Sequence, residues 1–269
     1  MTRTVRGAKL LITGAASDLG RRFAQRAVAE GAASLVLWDV DAPGLARLAG
    51  ALGDASRGRT VIRSEVVDVS ELGSIAKHAQ KARKDSGTPD ILINTAGISP
   101  GDRYFWETDN GDDTRMTMRV NAMAPMYLAR EFLPGMIADA YRAKRIVNLA
   151  SVAGAVAAPR MAAFAASKAA VSGWSHSLRL ELEQADHTNV KVLTVTLGAV
   201  GTGAGALDAE VVADQVWRAM LRGDPLLELP GSVRLARVLR AILPTRVSDL
   251  VDGAALGSRR SAERVTRRR

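Results

Sequence analysis

The sequence of 269 residues contains no cysteine, which excludes disulfides, thiolate zinc sites, iron–sulfur clusters and a cysteine nucleophile. It also lacks any apolar run of about 18 residues, so no membrane span is predicted. The first apolar run, residues 10–12, is too short for the core of a signal peptide. No two of its three histidines have the spacing of metal ligands, so no metal site is predicted. These absences predict a cytoplasmic protein.

Positive charge is in excess, but it is concentrated at one end of the chain. The net charge is +9, and residues 259–269 hold six arginines and one glutamate, which is +5. Subtracting that +5 leaves +4 for the other 258 residues, so a nucleic-acid partner is not predicted. A less favoured alternative is contact of this tail, and of the arginines at 234, 237 and 240, with an anionic membrane surface.

Short β-rich runs alternate with longer helical patterns, which predicts the α/β class, with a doubly wound parallel sheet and helices on both faces. The predicted strands are 8–13, 34–38, 60–66, 90–94, 145–149 and 190–196. The predicted helices are 18–30, 42–52, 71–85, 114–139, 160–184 and 208–222.

The chain divides into one domain and two shorter segments. Residues 1–222 show no boundary and no internal repeat, which predicts a single domain. Prolines punctuate residues 223–253, which are predicted to form a helical extension with one amphipathic helix over 232–243. Residues 254–269 are predicted to be a basic, disordered tail.

A glycine turn joins the first strand to the first helix. Between Gly14 and Gly20 such a turn brings backbone N–H groups up to a pyrophosphate, although a generic strand–turn–helix also needs a glycine. Asp39 ends the second strand about 20 residues on, where dinucleotide folds place an acid on the adenosine ribose; a helix N-cap is the alternative. Its carboxylate repels a 2′-phosphate, so NAD is favoured over NADP. The glycine turn and the acid together predict a Rossmann-like fold.

Six elements in order carry a family resemblance: the turn from Gly14 to Gly20, Asp68 with Val69, the run 94–97, Asn121, Ser151 and Lys168. With them the sequence resembles a short-chain dehydrogenase/reductase over about residues 7–205. The run 35–39 and the extended C-terminal segment are similar to the hydroxysteroid and retinol dehydrogenase-like branch. The resemblance implies that residues 1–222 are a dinucleotide-binding catalytic domain and that residues 223–253 lie near the substrate cleft.

The resemblance also implies roles for single residues. The implied cofactor-binding residues are Gly14, Ser17, Asp18, Leu19, Gly20, Asp39, Asp68, Val69, Asn94, Ala96, Gly97, Lys168, Gly198, Val200 and Thr202. The implied catalytic positions are Asn121, Ser151, Phe164 and Lys168. Three positions depart from the family pattern in a minor way: Asp18 replaces a glycine, Thr95 an asparagine and Leu197 a proline.

A fourth departure removes a reactive group. The family has a tyrosine 13 residues after the serine and four before the lysine, and both counts reach Phe164. In the family a tyrosinate, whose pKa the lysine lowers, exchanges the substrate proton. Phenylalanine keeps the shape without the hydroxyl, and loss of a general acid–base costs ~10²–10⁴ in rate. Natural divergence would explain Phe164. A deliberate replacement of tyrosine by phenylalanine, which removes one oxygen, would explain it equally well.

No other residue clearly replaces the missing hydroxyl. Tyr104 follows the 94–97 turn and could approach the cleft, although a loop aromatic without catalytic use is the favoured interpretation. Tyr127 and Tyr141 lie in or just after the fifth helix, where core or subunit contacts are expected. The three histidines are isolated in the sequence, and each is expected on the surface.

Two functions follow. The favoured one is an NAD-dependent oxidoreductase that interconverts a secondary alcohol and a ketone, with weak or abolished activity because of Phe164. The alternative is a non-catalytic NAD-binding regulatory or scaffold protein. The expected partner is an apolar small-molecule alcohol or ketone. The resemblance further implies a homodimer or homotetramer formed through helices 114–139 and 160–184.

Overall fold

A computed structural model describes residues 4–156, 158–201 and 206–232 of the chain. They form a parallel sheet of seven strands in the order β3-β2-β1-β4-β5-β6-β7. The strands are β1 Lys9–Thr13, β2 Ser34–Asp39, β3 Val61–Val66, β4 Ile91–Asn94, β5 Lys144–Ser151, β6 Val190–Leu197 and β7 Leu226–Leu229.

Helices connect the strands and cover both faces of the sheet. The α-helices are α1 Asp18–Ala29, α2 Ala42–Ser56, α3 Leu72–Ser86, α4 Met116–Met118, α5 Ala124–Ala138, α6 Ala162–Gln184 and α7 Ala209–Arg222. The 3₁₀ turns are Phe105–Glu107 and Val152–Gly154, and the π-helical turns are Asn110–Arg115 and Arg119–Met123.

Alternation along the strands supplies two separate hydrophobic cores. In β1, Leu10 and Ile12 point into one core and Leu11 into the other, because successive side chains of a strand lie on opposite faces. The same alternation in β2 sends Leu37 to the first core and Trp38 to the second. Both faces are therefore apolar, as a parallel sheet covered by helices requires.

Each core is closed by three helices. Helices α1, α2 and α7 cover the first, where the ring of Phe23 stacks on Trp217 with centroids 6.4 Å apart. Helices α3, α5 and α6 cover the second, where Phe132 packs against Trp38 at a centroid distance of 6.4 Å. This places α6 against the carboxyl half of β5, which is the position the site below depends on.

The predicted α/β class with a doubly wound parallel sheet is confirmed, and six of the seven strands match predicted ones. Strand β7 is not predicted from the sequence, because four residues between Pro225 and Pro230 give too little pattern for a strand. The extension 223–253 therefore begins with an edge strand paired to β6, whereas a helical segment is predicted there. The predicted helix over 232–243 and the tail 254–269 lie outside the described residues, apart from Ser232.

The predicted single helix over 114–139 is wrong in its first half. Helical structure begins at Asn110, four residues earlier, and two π-helical turns flank the short helix α4 before the long helix α5 starts at Ala124. Pro125 has no N–H for the regular i→i−4 ladder, and the ladder widens to a π turn directly before it. The widened turn Arg119–Met123 carries Asn121.

Across the described ranges, no helix combines the length and the apolar character that crossing a membrane requires.

We predict that Phe132→Ala lowers the free energy of unfolding by about 3–5 kcal/mol, because the ring is fully buried and its loss leaves a cavity. Urea unfolding followed by circular dichroism measures the change. Tyr141→Ala is the matched control, since Tyr141 is exposed, and its effect should stay within about 0.5 kcal/mol. Similar midpoints for the two variants would contradict the packing described here.

Candidate active site

The candidate site lies at the carboxyl edge of the sheet, where the order of strands reverses. Strand β1 pairs with β2 on one side and with β4 on the other, and the loops after β1 and β4 leave the sheet in the centre. A ligand crevice forms at such a switch point. Here it is a cavity of about 480 Å³, bounded by Gly14, Asp39, Asp68 and Ala96 at the ends of β1 to β4.

The turn after β1 is built for close approach. Gly14 has φ +61°, and a Cβ atom on it would lie 2.7 Å from the backbone N of Ala96. Gly20 packs against the same turn, where a Cβ would collide with the carbonyl oxygen of Gly14. Two bare glycines therefore let the turn, helix α1 and the 94–97 segment meet around the cavity.

The first turn of α1 offers backbone donors. The hydroxyl of Ser17 caps the helix by accepting from the N–H of Gly20 at 3.1 Å. Within the described residues, the N–H groups of Asp18 and Leu19 have no acceptor. Free N–H groups at a helix N-terminus attract anions, phosphate among them.

The carboxylate of Asp39 is fixed by the backbone around it. One oxygen accepts from the N–H of Ala16 at 2.8 Å, and the other accepts from the N–H of Asp41 at 2.9 Å. These bonds hold negative charge at the β2 end of the cavity, where Asp41 also lines the wall. In the described chain, no lysine or arginine lines this cavity.

Asp18, which replaces a family glycine, faces away from the cavity. Its carboxylate pairs with Arg21 at 3.2 Å and with Arg22 at 3.5 Å on the surface of α1, and its side chain is 51% exposed. The carboxylate therefore lies outside the cavity wall, and two arginines offset its charge.

A second cavity of about 270 Å³ adjoins the first. Thr95, Gly97 and Ile98 line both, so the two cavities share one wall. The other wall of the second cavity comes from β5, α6 and the end of β6. Its remaining lining residues are Ser99, Leu149, Ala150, Ser151, Phe164, Lys168, Leu197, Gly198 and Val200.

Ser151 and Phe164 face this second cavity from different elements. Ser151 ends β5, and its hydroxyl oxygen accepts from the N–H of Ala153 at 3.2 Å, which leaves the hydroxyl proton available to a ligand. Phe164 lies in the first turn of α6 and presents its ring four residues before Lys168. That spacing puts both side chains on one face of the helix.

Lys168 is buried, with 7% of its surface exposed. Its ammonium donates to the carbonyl oxygen of Leu149 at 2.9 Å and lies 5.7 Å from the centroid of the Phe164 ring. Burial disfavours the charged form and lowers the pKa of Lys168 from 10.5 to about 8.

Asn121 fixes the wall that the two cavities share. Its amide oxygen accepts from the N–H of Ile98 at 2.8 Å, and its amide nitrogen donates to the carbonyl of Ile98 at 2.8 Å. The nitrogen also donates to the hydroxyl of Ser167 at 3.0 Å, and that hydroxyl donates to the carbonyl of Phe164 at 2.7 Å. Asn121 therefore connects the segment after β4 to the first turns of α6.

Below the cavities, a second buried polar chain joins β4, β5 and α6. The amide of Asn94 donates to Asn148 at 2.7 Å, Asn148 donates to Ser175 at 2.9 Å, and Ser175 donates to the carbonyl of Val171. Asn94 is 3% exposed and lies beneath the cavity floor instead of lining it.

Most predicted site residues are brought together by the fold. The first cavity is lined by Gly14, Ser17, Asp39, Asp68, Val69, Ala96 and Gly97, and the second by Ser151, Phe164, Lys168, Gly198 and Val200. Asp18, Leu19, Gly20, Asn94 and Asn121 support these walls without lining either one. Thr202 lies outside the described residues.

Several lining residues are not predicted from the sequence. They are Ala16, Trp38, Val40, Asp41, Val67, Thr95, Ile98, Ser99, Met116, Val120, Leu149, Ala150 and Leu197. Most are neighbours of predicted residues along the same strand end. Met116 and Val120 carry a detectable signal, because four-residue spacing places them on one face of a helical segment.

The alternative proton donors are not brought to the site. Tyr104 lines neither cavity. Its ring stacks on Trp106 at 4.6 Å and lies under the guanidinium of Arg160 at 4.6 Å. Arg160 also pairs with Asp102 at 2.8 Å, so these four residues form a clasp between the loop after β4 and the loop after β5.

The remaining candidates also lie elsewhere. Tyr127 packs on the second core, Tyr141 is fully exposed, and His78 bonds to the carbonyl of Ser74 on α3. His176 is exposed on α6, and His187 follows that helix. In the portion of the chain that is described, no three histidine, aspartate or glutamate residues converge as metal ligands do.

The comparisons with known proteins agree with this geometry. The family model described as short chain dehydrogenase matches residues 8–210. The chain is 30% identical to human estradiol 17-beta-dehydrogenase 11 over 253 residues, which is 91% of this chain and 82% of that one.

Two solved structures are similar throughout. A short chain dehydrogenase/reductase from Burkholderia phymatum in complex with NAD is 26% identical, with a TM-score of 0.78 and coverage of 88% of this chain and 94% of that one. A metagenomic short-chain oxidoreductase in complex with NADP is 27% identical, with a TM-score of 0.72 and coverage of 84% and 96%.

We predict that Gly14→Ala destabilises the fold by about 1–3 kcal/mol, because alanine is strained at φ +61° and its methyl group meets Ala96. Gly50→Ala is the matched control in the middle of α2, where a Cβ has open space. It should stabilise the protein by about 0.5–1 kcal/mol through helix propensity. Thermal unfolding of the two variants measures the two stability changes, which should have opposite signs. A Gly14→Ala protein as stable as the unmodified chain would contradict the close contact between residue 14 and Ala96.

Proposed function

The chain belongs to the short chain dehydrogenase family, and from that membership we propose that it is an NAD-dependent oxidoreductase interconverting a secondary alcohol and a ketone. One observation carries the proposal: a cavity with the features of a dinucleotide site shares a wall with a second cavity that holds Ser151 and Lys168. Catalysis by hydride transfer needs cofactor and substrate in such contact.

The first cavity suits a dinucleotide in shape and donor chemistry. The absence of a side chain at Gly14 lets the turn pack against Ala96 at the cavity wall, and the free N–H groups of Asp18 and Leu19 would bind the pyrophosphate. The fixed carboxylate of Asp39 would accept from the ribose hydroxyls, and Asp68 with Val69 would flank the adenine. Gly198, Val200 and Thr202 would contact the nicotinamide end.

The charge of the wall favours NAD over NADP. Asp39 and Asp41 place two carboxylates at the ribose end, and among the described lining residues no cation balances a 2′-phosphate. A phosphate there would meet like charge at short range. The two solved structures above bind NAD and NADP respectively, so this preference rests on the wall of this chain.

Two residues that line the second cavity, and Asn121 behind its wall, have parts in the proposed reaction. A bound nicotinamide dinucleotide supplies the hydride chemistry. The free hydroxyl proton of Ser151 would orient the substrate oxygen, and Lys168 would place its side-chain nitrogen beside the reacting centre. Asn121 would keep the shared wall in place through its two bonds to Ile98.

Phe164 sets the rate that we propose for this chain. Its ring occupies the wall where the family carries a phenol, and a ring without a hydroxyl cannot exchange a proton. The activity is therefore weak or absent in this sequence.

The substrate that we propose is apolar. The lining of the second cavity includes the apolar side chains of Ile98, Leu149, Phe164, Leu197 and Val200, and among its described lining residues Lys168 carries the only ionisable side chain. The human relative is named for dehydrogenase action on estradiol, and an alcohol of similar character suits this cavity.

We also propose a homodimer or homotetramer formed through α5 and α6. On α6, Leu180 is 49% exposed, and an exposed leucine on a long helix is available for a subunit contact.

A second function is favoured by Phe164 itself. A chain that binds NAD without turning over a substrate would act as a regulatory or scaffold protein. Calorimetric titration with NAD and NADH separates the two functions when it is combined with the tyrosine variant below. Tight cofactor binding with a variant that remains inactive favours the non-catalytic function.

We predict that Phe164→Tyr raises turnover at least about tenfold with NAD and a suitable alcohol, because it restores an acid–base group. Initial rates across a panel of apolar alcohols and ketones measure the gain. Phe164→Leu is the matched control, since it changes the ring without adding a hydroxyl, and it should give no gain. An inactive tyrosine variant across the whole panel would count against the catalytic function.

We predict that Asp39→Asn narrows the preference for NAD over NADP roughly tenfold or more, because a like-charge contact at short range is worth about 1–4 kcal/mol. Calorimetry with each dinucleotide measures the ratio. Asp54→Asn removes the same charge from an exposed position of α2 and should leave the ratio unchanged. If Asp39→Asn and Asp54→Asn show the same ratio of NAD to NADP affinity, Asp39 does not determine which cofactor binds.

A further inference from the structure

The second cavity contains a single titratable side chain. Among its described lining residues, Lys168 alone can gain or lose a proton near neutral pH, and the others are aliphatic, aromatic, hydroxyl or glycine residues. Any proton that leaves a ligand in this cavity must pass to that lysine, to a hydroxyl or to water.

The amine of Lys168 has no charged partner. Within the described residues it makes one hydrogen bond, to the carbonyl oxygen of Leu149 at 2.9 Å, and it forms no ion pair. In the neutral state a primary amine that donates one N–H in this way keeps a lone pair free to accept a proton. Gly97 leaves the space beside the amine free of a side chain, because a Cβ atom there would already be in van der Waals contact with Nζ at 3.5 Å.

The charged residues of the elements packed against α6 are engaged elsewhere. On β5, Lys144 pairs with Asp90 and Asp139, and Arg145 donates to the carbonyl of Met220. On the π-helical turns, Arg119 pairs with Glu71, Asp113 pairs with Arg103, and Asp112 and Arg115 are exposed. Lys191 of β6 lies against Gly223. On α6 itself, His176 and Glu181 are exposed. Arg179 of the same helix pairs with Glu183.

We propose that Lys168 is the catalytic residue that exchanges a proton with the substrate oxygen in this chain, in place of a hydroxyl at position 164. The proposal rests on the proposed function, because it assigns a step within that reaction. Three observations support it: the lysine's place in the cavity wall, its lack of a charged partner and the bare Gly97 beside it.

The step balances with the nicotinamide cofactor as oxidant. In the oxidation, the carbinol C–H bond breaks and its electron pair passes as hydride to the bound nicotinamide. The O–H bond of the hydroxyl on the same carbon breaks, and its proton forms a new N–H bond on Nζ. The C–O bond becomes double. Lys168 thus changes from amine to ammonium, directly or through one water, and reduction of the ketone reverses each change.

The direction of the pH dependence follows from that step. Oxidation needs the neutral amine, so its rate should rise as the pH increases through the pKa of Lys168, which burial lowers to about 8. Reduction needs the ammonium, so its rate should fall over the same range. A lysine with an ordinary pKa near 10.4 would be almost wholly charged at neutral pH and a poor base.

We predict that the Lys168 amine of the full chain, without cofactor, titrates with a midpoint of about 8. Carbon-13 NMR of lysine labelled at Cε measures it, and Lys168→Arg assigns the resonance by its loss. Lys81 serves as the control in the same spectrum, because its ion pair with Glu65 raises its pKa. A Lys168 midpoint above about 10 overturns the proposal.

The activity arm uses the same chain with NAD and an alcohol from the panel. The rate of residual oxidation should rise with pH, with its midpoint at the Lys168 midpoint measured by NMR. Lys168→Arg keeps the positive charge but has no neutral form near pH 8 to accept a proton, so it should lower that rate ~10²-fold or more. In the Phe164→Tyr background the pH profile should no longer follow the Lys168 resonance, since the phenol then exchanges the proton.

The outcomes separate this proposal from the one it rests on. One outcome overturns the role of Lys168 and leaves the proposed function intact. In it, Phe164→Tyr turns over substrate, while the rate of the unmodified chain does not change with pH around the Lys168 midpoint or is not lowered by Lys168→Arg. No turnover by either chain with any substrate overturns both proposals. The NMR midpoint is measured on the unmodified protein, so it does not depend on whether Phe164→Tyr folds.

Discussion

The side-chain amide of Asn121 is the interaction on which the candidate active site depends. It holds both backbone groups of Ile98 and the hydroxyl of Ser167, and so joins three segments that lie far apart in sequence. Ile98 belongs to the wall shared by the two cavities, and Ser167 continues the chain of bonds to the backbone of Phe164. Without the amide, both backbone groups of Ile98 would lose this partner, and the Ser167 hydroxyl would keep only its bond to the carbonyl of Phe164. The π-helical turn that carries Asn121 therefore links fold to site.

Two buried lysines show how surroundings decide what a residue does. Lys144 is 1% exposed and pairs with Asp90 and Asp139, so its charge is compensated and it ties β5 to the start of β4. Lys168 is almost as buried but has only a carbonyl oxygen and the face of an aromatic ring beside it. The face of a ring offers a desolvated cation about 2 kcal/mol, less than a carboxylate at the same depth would. The first lysine is structural, and the second is available for chemistry.

The sequence predicts what local patterns determine. Apolar runs identify strands β1 to β6, and the glycine turn, Asp39, Ser151 and Lys168 are correctly placed at the carboxyl edge because parallel strands bring their ends together. What depends on contacts distant in sequence is not predicted. Strand β7 exists through its pairing with β6, and the π turns arise where a helix must accommodate Pro125. The lowered pKa of Lys168 comes from burial under elements that no spacing rule reveals.

The clasp between the two loops has a spectroscopic consequence. Trp38 and Trp217 are wholly buried, whereas Trp106 is 78% exposed and stacks on Tyr104 under Arg160. Indole emission depends on the polarity around the ring and on neighbouring quenchers, so Trp106 should emit in a longer-wavelength band than the buried pair. Separation of the Asp102–Arg160 contact would change the environment of that ring while leaving the two cores intact. Trp106 is therefore an optical reporter of movement in the loop after β4, which also supplies wall residues of the second cavity.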